Sequence, residues 1–215
     1  MTGRSFSCPL CHSVECTAYY QDKRRHYYKC SCCALVFVPS PYHLSEQMEK
    51  AEYDKHQNSL DDPGYRTFLS RLFDPLLDGL PENARGLDFG CGPGPALGKM
   101  FEERGCLVAL YDQFYARDAN VLQKKYDFVT ATEVVEHLRQ PSESLRLIWD
   151  LIVPSGYFGL MTKLVINKKR FKSWHYKNDP THIIFFSIDT LNYLANSWNA
   201  ELFCVADDAF IFRKP

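Results

Sequence analysis

The sequence has no apolar run approaching the roughly 20 residues that a helix needs to cross a bilayer, and its polar start, MTGRSFSCPL, does not read as a signal peptide. A cytoplasmic protein with no membrane partner is therefore expected. It also lacks an excess of either charge, since 25 lysines and arginines face 26 acidic residues and leave a net charge of −1. That removes any global electrostatic pull toward nucleic acid or anionic lipid and leaves room only for a local basic patch. Internal repeats and low-complexity tracts are missing too, which excludes repeat arrays and long disordered linkers. What is present is apolar material, 46% of 215 residues, enough for the core of one medium domain with a small appendage.

Cysteine runs against this pattern of scarcity, with nine in the chain. In a reducing compartment they remain thiols, so their spacing points to metal binding rather than to a disulfide framework. CPLC and CSCC supply Cys8, Cys11, Cys30 and Cys33 as two C-x2-C knuckles with eighteen residues between them, a spacing that suits a tetrahedral Zn²⁺ site. Cys32 is an alternative to Cys33, and His12 or His26 an additional donor; four thiolates are the simplest set. The intervening TAYYQDKRRHYYK reads as strands of a zinc ribbon over residues 1–40, a unit too small to fold on its own core and dependent on its metal. Its DKRRH segment is either a solvated face or a surface for a phosphate backbone, which would make RNA a partner.

Two prolines in VFVPSPYH close that module. Residues 41–84 read as a helical linker and lid region, in which YRTFLSRLFDPLLDGL sets Phe68, Leu69, Leu72, Phe73 and Leu76 on one side of a helix. From 85 to 215 strands and helices alternate. ARGLDFGC, CLVALYD, YDFVTA and GYFGLMTKL read as strands, and PALGKMFEERG, PSESLRLIWDLI and the serine-capped SIDTLNYLANSW as helices. AELFCVA and AFIFRKP form a closing hairpin. The pattern predicts an α/β, Rossmann-like, mostly parallel sheet with an antiparallel C-terminal hairpin.

LDFGCGPG places Gly90, Gly92 and Gly94 between a strand and a helix, where glycines let the backbone approach a ligand. Asp88 lies at the strand end, and Asp112 follows at the end of the next strand, where a ribose-binding acid belongs. The crowded G-x-G-x-G with Pro95 does not fit the nicotinamide fingerprint. It resembles motif I of the class I S-adenosylmethionine-dependent methyltransferases, and the resemblance covers residues 85–215. It implies a seven-stranded sheet, here with an abbreviated third strand, because only QFYARDANVLQKK separates Asp112 from the next strand. It also implies that Asp88, Gly90, Cys91, Gly92, Gly94 and Glu133 border the cofactor and that Asp112 holds its ribose hydroxyls.

ATEVVEHL then brings Glu133, Glu136 and His137 to the carboxyl end of the fourth strand. If that segment opens a helix, the i, i+3, i+4 spacing places all three on one face. E-x-x-E-H here resembles the ubiquinone-pathway O-methyltransferases and the enzymes that methylate the terminal 2′-hydroxyl of small RNAs. That likeness implies a divalent ion such as Mg²⁺, Mn²⁺ or Zn²⁺, held by Glu133, Glu136 and His137 with His182 of NDPTHIIFF as a candidate fourth ligand, which binds the acceptor hydroxyl and lowers its pKa. Without a metal, His137 or His182 is the general base. KKRFKSWHYKNDPTH, with Trp174, His175 and Tyr176, is a substrate lid or a packed surface loop.

The whole chain resembles a bacterial-type group that couples CPLC…CxxC, YDKHQNSLDDPGYRTFL and WHYKNDPTHIIFFS to a methyltransferase core. The expected function is O- or N-methylation of a small aromatic or hydroxylated metabolite. The alternatives are an RNA methyltransferase, since some ribosomal-RNA guanine methyltransferases also carry a zinc module ahead of the catalytic domain, and a non-catalytic cofactor-binding or zinc-mediated interaction protein.

Overall fold

The computed structural model describes residues 6–55 and 59–215. The HQN of the YDKHQNSLDDPGYRTFL motif, residues 56–58, therefore lies outside the described residues, as do residues 1–5 at the start. Strands β1 (Cys16–Gln21) and β2 (His26–Cys30) form the expected hairpin between the cysteine knuckles, and β3 (Val36–Phe37) pairs beside β2. Helix α1 (Glu46–Tyr53) starts at Ser45, whose hydroxyl accepts the N–H of Met48, and Asp62 caps α2 (Pro63–Leu77) in the same way. The apolar side of α2 buries Leu69, Leu72, Phe73 and Leu76, as their spacing predicts, whereas Phe68 is only half-buried.

The main sheet then forms from β4 (Arg85–Phe89), β5 (Leu107–Tyr111), β6 (Tyr126–Thr132) and β7 (Ile152–Met161), with α3 (Ala96–Glu102) and α4 (Pro141–Leu151) as crossovers. Short α5 (Lys168–Ser173) and β8 (Ile184–Phe185) precede α6 (Ile188–Trp198), and β9 (Glu201–Ala206) and β10 (Ala209–Arg213) close the chain. The order is β5-β4-β6-β7-β10-β9, with β5, β4, β6 and β7 parallel and β10 and β9 antiparallel. This is the expected α/β sheet and hairpin.

Two features depart from expectation. The sheet has six strands, not seven, because residues 113–125 contain no third strand. They hold an isolated bridge between Asp112 and Ala116 and a 3-10 turn at Ala119–Gln123. A crossover alone takes about 10–12 residues, so the fourteen that separate β5 from β6 cannot supply both a crossover helix and an added strand. The cysteine hairpin, in turn, is not an isolated sheet. It continues through β3 into β8, in the order β1-β2-β3-β8, so residues 184–185 complete the sheet that residues 16–37 begin.

Candidate active site

The carboxyl ends of β4, β5 and β6 open onto a cavity of about 1000 Å³, bordered at one end by the glycine turn and at the other by His137, Tyr176 and His182. Gly90 and Gly92 both take left-handed backbone, with φ of 76° and 62°. At Gly90 a Cβ would lie 2.4 Å from Cγ2 of Val134; at Gly92 it would meet nothing within 4 Å. The turn is fixed by Asp112, whose Oδ2 accepts the Gly92 N–H at 3.1 Å and whose Oδ1 accepts those of Phe114 and Tyr115 at 2.7 and 3.0 Å. A carboxylate has about four acceptor positions, so capacity remains for a ribose hydroxyl. Burial pushes the Cys91 thiol up to about 12, so it borders the cavity as a neutral group.

Asp88 lies beneath this turn. Burial pushes its carboxyl up to about 6, against a hydrogen bond that its Oδ1 accepts from Thr130 at 2.9 Å. A raised acid binds its proton more tightly in the folded than in the unfolded state between pH about 4 and 6. Stability therefore falls as pH rises through that window, by roughly 3 kcal/mol in all, and Asp88 contributes no further change above it. Urea unfolding from pH 4 to 6 is expected to show this slope, and Asp88→Asn to flatten it; an unaltered slope would contradict the assignment.

The acidic motif folds differently from one helical face. Glu133 ends β6 in left-handed backbone, φ 54°, a strained state for a side-chain-bearing residue. Only Val135–His137 follow as a 3-10 turn. Glu133 faces the cavity with its Oε1 buried and without a hydrogen-bond partner among the described residues, and burial pushes its carboxyl up to about 7. Glu136 does not line the cavity; it is fully buried and accepts hydrogen bonds from the hydroxyls of Tyr176 and Thr162. Burial and the neighbouring Glu133 push it up to about 8.

Glu136, His137 and His182 do bring one donor atom each within 4.8 Å of one another, but Glu133 is outside this cluster, so the expected set of four does not assemble. The donors present also do not fit Mg²⁺, which takes oxygen ligands and retains waters. Here two of three donors are imidazole nitrogens, a set closer to Zn²⁺ or Mn²⁺ than to Mg²⁺. Each imidazole is oriented by a backbone carbonyl. Nδ1 of His137 lies 3.2 Å from the Thr181 carbonyl and Nδ1 of His182 lies 2.7 Å from that of Tyr176. Each carbonyl requires Nδ1 to carry the proton, which leaves each Nε2 as an acceptor. Burial pushes His137 down to about 3 and His182 to about 4, so both are neutral at physiological pH.

The walls were less legible in sequence. Tyr53 of α1 sets its ring edge-on to His137 at 5.2 Å. Its hydroxyl donates to Glu49, which also accepts from Arg139 at 2.5 Å, latching α1 over the cavity. Tyr65 and Phe68 stack with centroids 6.1 Å apart on the same cavity. Glu49 and Arg139 meet across 90 residues, and only the position of Arg139 two residues after the E-x-x-E-H segment offered a signal.

Apart from this cavity, the four knuckle thiols converge. Their Sγ atoms lie within 4.8 Å of one another, with Cys8–Cys33 at 3.4 Å and Cys11–Cys30 at 3.5 Å. A tetrahedral zinc with Zn–S of about 2.3 Å separates its sulfurs by about 3.8 Å, so these four fit that ion. Cys32 is exposed, and neither His12 nor His26 joins the group.

A glycine turn and an acid after the second strand, at the open end of a parallel sheet, define the class of Rossmann-like enzymes that bind a nucleoside cofactor. Within that class the chain belongs to the methyltransferase-domain family, whose model matches residues 61–205. It is a class I S-adenosylmethionine-dependent methyltransferase. Its fold is similar to that of the 1,6-didemethyltoxoflavin-N1-methyltransferase of Burkholderia thailandensis, solved with 1,6-didemethyltoxoflavin and S-adenosylhomocysteine, at 16% identity and TM-score 0.51, over 92% of this chain and 98% of that one. Human N-acetylserotonin methyltransferase, solved with S-adenosylmethionine, gives 16% identity and TM-score 0.51 over 79% and 56%. An O-methyltransferase family protein of Burkholderia thailandensis gives 11% and 0.50 over 77% and 62%. No protein of curated function matches the sequence.

Proposed function

We propose that the enzyme methylates an O–H or N–H group of a small aromatic or hydroxylated metabolite, with His137 or His182 as general base. The observation that carries this reading is the pair of neutral imidazoles on the cavity wall, each with Nδ1 engaged by a carbonyl and Nε2 left as an acceptor. Bound S-adenosylmethionine would supply the methyl group, with the C–S bond electrons going to sulfur as the acceptor's lone pair attacks, and Nε2 of His137 or His182 would take the acceptor proton. Tyr53, Tyr65, Phe68 and Tyr176 offer flat walls for an aromatic substrate. The cofactor's methionine part would lie along Gly90–Gly94 and Glu133, and its ribose at Asp112. Zn²⁺ held by Cys8, Cys11, Cys30 and Cys33 would be structural, in a cytoplasmic, reducing setting.

An RNA acceptor has less support. Of the ribbon's cations, Arg25 is buried and Arg24 reaches the carbonyl of Asn178 in the same chain. A non-catalytic role sits poorly with an open cavity behind the two imidazoles.

The test is transfer of labelled methyl from S-adenosylmethionine into fractionated cell extract. His182→Gln and His137→Gln are each expected to retain cofactor affinity, and the one that removes the base should lower transfer by about 10²- to 10⁴-fold. If both variants transfer at the wild-type rate, the base assignment is wrong. If no fraction is labelled by the wild type, the metabolite reading fails.

A further inference from the structure

The cysteine hairpin reaches into the loop that carries His182. The turn between β1 and β2 is set by Asp22, whose Oδ1 accepts the N–H groups of Arg24 and Arg25 at 2.8 and 2.9 Å. The Arg25 side chain is directed inward from that turn and is only 6% exposed. Its Nη1 donates to the carbonyls of His182 at 2.8 Å and Pro180 at 3.3 Å, and its Nη2 to those of Asp179 at 3.0 Å and Lys177. Four carbonyls of the stretch 177–182 thus converge on one planar cation, and Arg25 makes no ion pair among the described residues. Tyr27 adds a hydroxyl that donates to Asp22, and the Lys177 ammonium reaches the same carboxylate at 3.4 Å.

The same stretch places both imidazoles. Tyr176 offers its carbonyl to His182 Nδ1, and Thr181 offers its own to His137 Nδ1. Directly after it, the Ile183 N–H donates to the Glu136 carbonyl at 2.9 Å, while the Ile183 carbonyl accepts the Val38 N–H at 2.8 Å. The loop is therefore held between the ribbon on one side and the Glu136–His137 turn on the other. Four carbonyl dipoles aimed at one point repel one another unless a cation lies among them, and buried carbonyls without a donor are costly.

We propose that Arg25 is a positioning residue for methyl transfer: by gathering the carbonyls of 177–182 from the ribbon, it sets His182, and through the Thr181 carbonyl His137, at the acceptor end of the cavity. This rests on the reading of those imidazoles as acceptor-facing bases. It assigns the ribbon a catalytic task that requires no nucleic acid. Lysine cannot replace the residue, because a single ammonium cannot span carbonyls that a guanidinium fork reaches from two nitrogens.

The test uses full-length, zinc-loaded wild type, Arg25→Ala and Arg25→Lys, labelled with nitrogen-15 histidine and saturated with S-adenosylhomocysteine. His182→Gln and His137→Gln assign the two ring signals. In the wild type both rings are expected as the Nδ1–H tautomer. In Arg25→Ala both should move to tautomer-averaged positions while the other five of the seven histidines stay in place. Amide exchange over 177–183 should rise by about tenfold or more, with S-adenosylhomocysteine affinity changed by less than about twofold. Methylguanidinium added to Arg25→Ala should return the ring signals, a rescue that a general loss of packing would not show, and Arg25→Lys should behave as Arg25→Ala does. Ring signals and loop exchange unchanged in Arg25→Ala would overturn the proposal. A wild type that binds no S-adenosylhomocysteine would instead overturn the cofactor assignment, while the rings and the loop still decide the role of Arg25. Should Arg25→Ala not fold, all seven signals shift, and Arg25→Lys decides alone.

Discussion

Removing zinc from the cysteine cluster, by chelation or by Cys33→Ser, is expected to melt the ribbon and to disorder a loop about 150 residues away in sequence, while leaving the cofactor turn intact. Cys8, Cys30 and Cys33 are fully buried, in one cluster with Leu35, Val36 and Phe37, so the thiols that hold the metal lie inside the module's apolar packing. Structural zinc sites contribute folding free energy directly, so a loss on the order of 5 kcal/mol or more is expected for residues 6–38. The effect should travel, because β3 pairs with β8 and Arg25 holds residues 177–182. No strand of the ribbon pairs with β4 or β5, the strands that carry the glycine turn and Asp112. Metal analysis should give one zinc per chain, and amide exchange should rise together in 16–38 and 177–185. Methyl transfer should fall while S-adenosylhomocysteine still binds. A chain that carries no zinc, and whose exchange is indifferent to chelator, would defeat this account.

The sequence made the parallel strands and the glycine turn readable because both are local. A buried strand is a short apolar run, and a turn that needs left-handed backbone calls for glycine. The missing third strand was half-readable, since the short span after Asp112 signalled abbreviation but not the bridge and 3-10 turn that replaced it. The E-x-x-E-H segment shows where local reasoning stops. Its spacing suggests one helical face, yet Glu133 turns left-handed and Glu136 is drawn inward by Tyr176 and Thr162, groups that lie far along the chain. Arg25 was hidden for the same reason. In DKRRH it is one cation of a polar turn, and its role arises only because the carbonyls of 177, 179, 180 and 182 surround it in the fold.

Gly90→Ala and Gly92→Ala, two residues apart in one turn, are expected to fail in different ways. Both positions have left-handed backbone, which costs a non-glycine residue about 1–3 kcal/mol. At Gly92 that is the whole structural cost, because an added Cβ meets nothing within 4 Å. The variant should fold, with its methyl projecting into the cavity margin where the cofactor's methionine part is proposed to lie, and S-adenosylhomocysteine affinity should fall by about tenfold or more. At Gly90 the Cβ would lie 2.4 and 2.8 Å from the two γ carbons of Val134. Val134 cannot withdraw freely, because the strained Glu133 before it is tied by its N–H to the Met161 carbonyl and the buried Val135 follows. Overpacking adds about 1–3 kcal/mol to the backbone strain, so Gly90→Ala should lose about 2–6 kcal/mol in all and displace the turn that presents His137. Urea unfolding and S-adenosylhomocysteine calorimetry on the two variants separate these outcomes. If Gly92→Ala binds the cofactor product as the wild type does, the cofactor does not lie against this part of the turn. If Gly90→Ala is no less stable than Gly92→Ala, the close approach of Val134 does not constrain the site.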